Sequence, residues 1–193
     1  MTHAHITTFE GRRYSQPFQG EFVLYEHSVL HYEVRAFYQR CGNRDKTERS
    51  APCACAVAVR SDDDVVIIDR CNSFTDGEPR LLKVKLYQSG SLTAATTVIR
   101  NGGGLAYEIT LPSGTVTQVQ VKEDHLNVLI QASGTDLNNT RGLCGSYNGE
   151  GDAILIKRDG TDYSRPGQRP DEFSKSWRLV LQSLLTLHTV VLL

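Results

Sequence analysis

The sequence lacks an excess of charge of either sign. Its 193 residues contain 21 Lys and Arg against 22 Asp and Glu, for a net charge of -1. A basic excess would favour a nucleic-acid partner, and an acidic block would favour a solvating tail. The chain also lacks a Gly-x-Ser-x-Gly elbow, a phosphate-binding glycine loop and a dinucleotide fingerprint. These absences argue against nucleic-acid binding and against the enzyme classes that such motifs mark.

The two ends of the chain lack membrane and export signals of the usual kind. The N-terminus has no basic region, apolar run or cleavage site of a signal peptide. Residues 179–193 include ten Leu or Val, but a bilayer span needs about 20 apolar residues. If the cysteines of the chain indicate secretion, we expect a fragment of a longer precursor. Within it we expect one domain over residues 1–178 and an apolar tail over 179–193. A lipid-anchor signal, a packed terminal helix and a stretch of unrelated sequence are alternatives for the tail.

Apolar and polar residues alternate with a period of two along most of the chain. The pattern is clear over residues 32–39, 82–86, 107–111 and 126–130, with turn signals between the runs. Such runs bury one face and leave the other in water. About ten strands are predicted between Ile6 and Gln131, in an antiparallel β-sandwich or curled sheet. The run 65–68 is expected to lie deep, and a β-bulge is expected near Thr117-Gln118.

The alternation ends after Gln131. Residues 133–170 are rich in Gly, Asn, Asp, Arg and Pro, and a region of this length needs covalent or metal ties to stay ordered. The residues from Pro170 to Trp177 then predict a short helix, with Phe173 and Trp177 on one face as a lid on the sheet. The expected fold is therefore mostly β, with an irregular disulfide-tied C-terminal region and one short helix.

Three sequence blocks resemble a known family. They are residues 3–14 followed by 20–25, then Gly142-Leu143-Cys144-Gly145-Ser146-Tyr147-Asn148-Gly149, and then Glu172-Phe173-Ser174-Lys175-Ser176-Trp177. In this order and spacing the chain resembles the von Willebrand factor type D domain over about residues 3–178. The cysteine-rich middle is most similar to the domain of von Willebrand factor D and EGF domain-containing proteins.

The resemblance implies a function as well as a fold. Domains of this type are secreted or cell-surface, disulfide-linked modules that bind partner proteins. We expect a non-catalytic adhesion or receptor-binding module whose partners are extracellular proteins, with no nucleic acid and no small-molecule substrate. Two alternatives remain open, a carbohydrate-active β-sandwich enzyme and a lipid-anchored surface protein that uses the tail.

The resemblance also implies a calcium site in the loop from Gly142 to Gly149. The positions that match the family's ligands are His3, Ser146, Asn148 and Asp152, with Glu150 nearby. Calcium needs about six to eight oxygens, and His3 offers nitrogen instead. The alternative is a loop held by Asx-type hydrogen bonds and a bridge from Cys144.

Two departures from the family pattern carry expectations of their own. Thr2-His3-Ala4-His5 replaces the usual Gly-Asp-Pro-His, so self-cleavage at an Asp-Pro bond is not expected. Gly20 stands where the family usually has a cysteine, so that bridge is missing.

The five cysteines favour an extracellular disulfide framework, because four of them lie within residues 41–71. The first choice is a Cys41–Cys53 bridge, which closes a polar loop, and a Cys55–Cys71 bridge between neighbouring strands. Cys144 is then expected to pair with a family cysteine upstream of this chain. Exchange of Cys53 and Cys55 remains open, and so does a zinc site of the first four cysteines.

Two further candidate sites are less specific. His3 and His5 lie two residues apart, on one face of a strand, and could bind zinc, or they could be a surface pair. Asn138-Asn139-Thr140 is a glycosylation sequon, so Asn138 is a candidate glycan acceptor in a secreted protein.

Overall fold

The computed structural model describes residues 4–40, 52–71, 82–87, 95–123, 125–151, 154–165 and 168–180. In these residues it contains one α-helix, α1 (Pro170–Ser176), two short 3-10 turns (Gly102–Gly104 and Gly134–Asp136) and thirteen strands. The strands are β1 (Ala4–Thr7), β2 (Arg13–Gln16), β3 (Gly20–His27), β4 (Tyr32–Arg40), β5 (Pro52–Ser61), β6 (Asp64–Asp69), β7 (Lys83–Tyr87), β8 (Thr97–Asn101), β9 (Ala106–Thr110), β10 (Val116–Val121), β11 (Leu126–Gln131), β12 (Thr140–Arg141) and β13 (Arg178–Leu179).

All strand pairs are antiparallel, as the alternating pattern predicts. The larger sheet has seven strands, in the order β12-β3-β4-β5-β6-β7, with β13 also paired to β3. The smaller sheet has the order β11-β10-β9-β8, and β1 and β2 form a separate ribbon. The mostly β antiparallel fold is therefore confirmed, with eleven strands up to Gln131 in the described residues where about ten were expected.

The core lies between the inner faces of the two sheets. Phe22, Val34 and Ile68 from the larger sheet pack in one cluster with Ile109 and Val119 from the smaller sheet, and each is at most 1% exposed. The expected alternation in β4 is confirmed, because its residues 32, 34, 36 and 38 are all buried. The run 65–68 in β6 is deeply buried as predicted, since β6 lies between β5 and β7 and has apolar neighbours on both faces.

The predicted burial of the apolar face of β7 is wrong. Val84 is 43% exposed and Leu86 is 44% exposed. β7 is the last strand of the larger sheet among the described strands, whereas the smaller sheet packs on that sheet through contacts of β11 with β5. Period-two alternation identified the strand correctly, but it does not show whether a second layer covers that part of the sheet.

The predicted β-bulge near Thr117-Gln118 is also wrong. β10 pairs with both β9 and β11 without a shift in register. Thr117 occupies an inward position and is fully buried, in step with Val119 and Val121. A polar residue on the buried face had broken the apolar pattern without changing the backbone. Register shifts occur elsewhere, between Val23 and Tyr25 and between Phe37 and Tyr38.

Helix α1 closes the described part of the chain against the core, as predicted. Pro170 begins the helix, and Asp171 and Glu172 lie in its first turn, where acidic side chains are favoured. Phe173 and Trp177 are fully buried. β13 follows and includes Leu179, the first residue of the predicted tail. Residues 181–193 lie outside the described residues, so the domain boundary stays a prediction.

One predicted disulfide bond is present. Cys55 and Cys71 are bonded, with their Cα atoms 4.9 Å apart. Cys55 is the extra residue where the β4–β5 pairing shifts, and its carbonyl accepts a hydrogen bond from Arg70 N–H at 2.8 Å. Cys53 is also disulfide-bonded. Cys41 lies outside the described residues, so the other predicted bridge stays a prediction.

Candidate functional site

The glycine-rich loop, residues 142–151, extends the edge of the larger sheet. After β12, Leu143 N–H donates to Val23 O at 3.0 Å, and Cys144 N–H donates to Leu24 O at 2.9 Å. Gly142 makes this close approach possible. Its φ is 126°, and a Cβ there would lie 2.6 Å from Leu24 O. Any other residue at this position would collide with β3.

The β1–β2 ribbon holds the other side of the glycine-rich loop. Phe9 N–H donates to Cys144 O at 2.9 Å, and the Tyr14 hydroxyl donates to Leu143 O. Leu143 is fully buried in the main core. The start of the loop is therefore tied to two separate β elements and to the core between them.

A single carboxylate organises the end of the glycine-rich loop. Glu10 accepts hydrogen bonds from the backbone N–H groups of Asn148 at 3.0 Å, Gly149 at 2.8 Å and Gly151 at 3.0 Å. These bonds, the strongest of which comes from Gly149, lower the pKa of Glu10 below its usual value. Asn148 Oδ1 accepts from Glu150 N–H at 3.1 Å, which forms an Asx turn.

A cleft of about 400 Å³ opens beside the glycine-rich loop. Ile154, Ile156 and Trp177 contribute apolar surface to it, and Trp177 is anchored by its indole N–H, which donates to Ile156 O at 3.1 Å. The polar side chains that line the cleft come from four segments: Ser28, Asn138, Thr140, Arg141, Ser146, Asn148, Glu150, Lys157 and Arg158. The cleft therefore offers both hydrogen-bonding groups and charge to a ligand.

The charges at the cleft are largely balanced. Arg141 pairs with Glu26 at 2.9 Å, and Lys157 lies 4.0 Å from Asp159. Arg158 is exposed and makes no ion pair within the described residues. The cleft has no strong single-sign field, so its chemistry suits a mixed polar surface better than a highly charged ligand.

A buried carboxylate connects segments that lie next to the cleft. Asp136 is fully buried, and its Oδ2 accepts hydrogen bonds from the hydroxyls of Tyr25, at 2.8 Å, and Thr115. Its backbone carbonyl accepts from Asn139 N–H at 2.9 Å, next to the cleft residue Asn138. Asp136 thus joins β3, the loop before β10 and the 3-10 turn at residues 134–136.

The turn between β3 and β4 presents two apolar side chains next to Ser28, which lines the cleft. Val29 is 74% exposed and Leu30 is 43% exposed. His27 Nδ1 accepts hydrogen bonds from Val29 N–H at 3.2 Å and Leu30 N–H at 2.9 Å, so the turn is held in one conformation. Ser28 N–H donates to Asn139 O at 2.8 Å, which joins this turn to the cleft.

The sequence of this region has a family counterpart. The family model for the von Willebrand factor type D domain matches residues 1–161. The chain belongs to this family. Von Willebrand D domains are typically extracellular adhesion or interaction modules, are generally not enzymes, and occur in extracellular proteins. The match includes the glycine-rich loop and the cleft residues up to Gly160.

The implied calcium ligands of this von Willebrand D domain are only partly brought together. Ser146 and Asn148 both line the cleft, whereas His3 and Asp152 lie outside the described residues. Asn148 Oδ1 and both oxygens of Glu10 already accept backbone N–H groups. No cluster of three or more His, Cys, Asp or Glu suited to a metal ion occurs in the described part of the chain. Two of the four matching positions lie outside the described residues, so the calcium site stays a prediction.

Cys144 is a free thiol within the described residues. It keeps some exposed surface, but burial raises the pKa of its thiol to about 12, so the thiolate is strongly disfavoured. The structure thus supplies backbone hydrogen bonds where the sequence predicted a covalent tie. The expected partner upstream of this chain stays a prediction.

Gly20 carries a second departure from the family pattern. Its φ is 119°, and a Cβ there would lie 2.8 Å from Arg178 Nε. The guanidinium of β13 therefore occupies the space that a cysteine side chain would need.

The remaining candidates are dispersed. His5 is exposed on β1, and its proposed zinc partner His3 lies outside the described residues. Asn138 is exposed in a left-handed conformation with φ 62°, and its sequon residue Thr140 is buried and accepts Tyr147 N–H at 2.7 Å. In the described residues we find no helix long and apolar enough to cross a membrane.

Sequence reasoning missed three residues of this site. Glu10 lies 138 to 141 positions from the backbone groups that it binds, and Asp136 lies 111 positions from Tyr25. His27 appears in the sequence only as a strand residue. The one available signal for Glu10 was its place in the first family block, next to Gly11 in a turn.

Proposed function

We propose that this chain is a non-catalytic interaction module of a multidomain secreted or cell-surface protein. Its partner is an extracellular protein or receptor, which it contacts through the cleft and the adjoining turn at residues 28–31. We call this surface the cleft face. Family membership supports the general role, and the geometry of the cleft face supports the location of the contact.

The turn at residues 28–31 is the observation that carries the proposal. Exposed apolar side chains are common when they are isolated, but Val29 and Leu30 are adjacent and lie on a turn fixed by His27. A surface that is ordered before binding loses little conformational entropy when a partner docks. An apolar tip beside a polar cleft also matches the usual composition of protein interfaces, which have an apolar centre and a polar rim.

The arrangement of ionisable groups supports binding over catalysis. His27 and Asp136 are the one histidine–carboxylate pair among the described residues, with Nε2 and Oδ1 3.9 Å apart. His27 is 7% exposed and Asp136 is fully buried, and neither lines the cleft. His27 Nδ1 is occupied by two backbone N–H groups. This pair therefore stabilises the fold and does not reach a substrate.

The disulfide bond and the sequon support an extracellular setting. The Cys55–Cys71 bond persists in oxidising compartments, which include the secretory pathway and the cell exterior. Asn138 is exposed on the rim of the cleft, where a glycan could be attached. Digestion with an amide-cleaving glycosidase would increase the gel mobility of the secreted wild type and leave Asn138→Gln unchanged.

A binding screen tests the function directly. The domain, fused to a dimerising tag, is applied to an array of recombinant extracellular proteins, together with Val29→Glu and Leu129→Glu variants. Leu129 is 52% exposed on the outer face of the smaller sheet and serves as the matched control. We expect Val29→Glu to weaken binding at least about tenfold, as for a central interface residue, and Leu129→Glu to bind like the wild type. Equal binding by all three proteins would contradict the location of the interface, and the absence of any specific partner would contradict the function.

A further inference from the structure

We propose that the Glu10 carboxylate, and not a divalent cation, holds the glycine-rich loop of this domain in its folded conformation. The loop is therefore ordered without calcium. This proposal is independent of the partner-binding function, because it concerns only what stabilises the loop.

The position of Glu10 is fixed by its own turn. Between β1 and β2, Thr8 N–H donates to Arg12 O at 2.9 Å, Gly11 N–H donates to Thr8 O at 3.0 Å, and Arg12 N–H donates to the Thr8 hydroxyl at 3.0 Å. Glu10 lies at the tip of this closed turn. The carboxylate is thus presented to the glycine-rich loop by a rigid element.

The backbone of the loop forms a concave set of donors around Glu10. Gly149 and Gly151 have φ of 73° and 70°, the left-handed region. The N–H groups of residues 148, 149 and 151 all point at the two carboxylate oxygens, within 2.8 to 3.0 Å. Successive backbone N–H groups arranged in this way create an anion-binding concavity. In this chain the anion is a side chain of the protein itself.

The same geometry disfavours a cation at this place. The positive ends of three N–H dipoles converge on the two Glu10 oxygens, which makes this carboxylate a poorer ligand for a cation. Calcium also needs about six to eight oxygen ligands, and Asn148 Oδ1 already uses one of its two lone pairs on Glu150 N–H. The lowered pKa of Glu10 agrees with a carboxylate stabilised by donors.

Thermal unfolding in calcium and in a chelator is the first test. We expect the wild type to have the same Tm in millimolar CaCl₂ as in EDTA. Glu10→Gln keeps the size of the side chain and removes its charge, so we expect its Tm to fall by about 3–6 °C in both buffers. Glu123→Gln, at an exposed residue, is the matched control and is expected to unfold like the wild type.

Chemical rescue separates a carboxylate from a metal. Glu10→Ala leaves the N–H concavity open, so added formate or acetate is expected to raise the Tm of this variant more than that of the wild type. Calcium chloride at the same ionic strength is expected to have no such effect. A rise in the wild-type Tm with calcium, lost in Glu10→Gln, would show that Glu10 is a metal ligand and would overturn the proposal. A Glu10→Gln variant as stable as the control would overturn it as well, and neither result depends on the alanine variant being able to fold.

Discussion

Asp136 connects three distant parts of the fold through one buried carboxylate. The hydroxyls of Tyr25 and Thr115 donate to its Oδ2, and Thr115 in turn accepts Ser133 N–H at 2.9 Å. His27 Nδ1 accepts two backbone N–H groups, so Nε2 carries the proton that faces Asp136. This network joins the turn at residues 28–31 to the 3-10 turn at residues 134–136, which precedes the cleft residue Asn138.

Asp136→Asn is expected to destabilise the domain by roughly 2–4 kcal/mol. The amide keeps the volume of the side chain, but it removes the charge and places an NH₂ group among hydroxyls that already donate. Urea unfolding provides the measurement. Asp63→Asn, at an exposed position, is the control and is expected to stay within about 0.5 kcal/mol of the wild type. Equal midpoints for the two variants would show that the network carries little stability.

The contacts of single residues are the feature that the sequence predicts least well. Asp136 belongs to a Gly-Thr-Asp turn, and Glu10 to a Glu-Gly turn, and neither composition reveals a contact more than 100 residues away. The candidates that sequence did supply, Ser146 and Asn148, do lie at the cleft. Residue types in a glycine-rich loop indicate that oxygens are present, but they do not indicate whether a backbone donor already occupies them.

Helix α1 is the element that depends most clearly on packing. It has seven residues, which is too short to be stable in isolation. Phe173 contacts Tyr14 edge to face, with ring centroids 5.9 Å apart, and Trp177 carbonyl accepts Val23 N–H at 3.2 Å. The sequence predicted this helix well, because the proline, the acidic first turn and the i,i+4 aromatic pair are all local signals.

Phe173→Ala is expected to cost roughly 3–5 kcal/mol, since it removes a fully buried aromatic ring. Trp177 is the one tryptophan of the chain, so its fluorescence reports the docking of α1 directly. We expect the native emission of the variant to shift towards longer wavelength and the urea midpoint to fall. Lys175→Ala, at a side chain that is 52% exposed, should change neither quantity, and an unchanged spectrum for Phe173→Ala would contradict the packing of the helix.

The strands show where local pattern stops being sufficient. β4 and β6 were predicted correctly because they are covered by both neighbouring strands and the second sheet. The prediction for β7 gave too much burial, and the prediction for β10 gave a bulge that the strand does not have. The apolar side chains of β7 are exposed because the smaller sheet packs on β5, and the inward Thr117 concealed a regular strand. Burial depends on which layers meet, and that information is not local.

At the scale of the whole molecule, the pH dependence of stability above about pH 5 depends on a buried ion cluster. Glu21 on β3 is 3% exposed, and burial raises its pKa to about 7 despite Arg35, whose Nη1 lies 3.5 Å away. Arg35 makes its closer contact, 2.7 Å, with Glu33, so one guanidinium serves two carboxylates. Neither oxygen of Glu21 accepts a hydrogen bond. On its other side Glu21 pairs with Leu179 of β13, which brings no further charge to the cluster.

The free energy of unfolding is therefore expected to fall as the pH rises from about 5 to 8. Between the ordinary pKa of 4.5 and about 7, the folded state holds a proton on Glu21 that the unfolded state has released, so a higher pH favours unfolding. The loss is on the order of 1–3 kcal/mol. Glu21→Gln should remove this slope and be the more stable protein at pH 8, as measured by urea unfolding across the range. A wild-type profile that is flat between pH 5 and 8 would contradict the raised pKa.

Below about pH 5 the free energy of unfolding is expected to change with pH in the opposite direction. Glu10 has a lowered pKa, so its contribution is fully present above pH 4.5 and is lost as the pH falls through the lowered value. The domain is thus expected to be most stable in mildly acidic solution.

The overall fold class, the family and one disulfide bond could be predicted from the sequence. The opposite pKa shifts of Glu21 and Glu10 could not, because they arise from burial and from backbone donors that only the folded chain brings together.

Hydrogen exchange at the glycine-rich loop tests the central claim most directly, namely that this von Willebrand D domain builds its characteristic loop on an internal carboxylate. The amides of Asn148, Gly149 and Gly151 are measured in EDTA and in CaCl₂, for the wild type and for Glu10→Gln. We expect equal protection in the two buffers for the wild type and a loss of protection in the variant. Protection that appears only in the presence of calcium would contradict the claim.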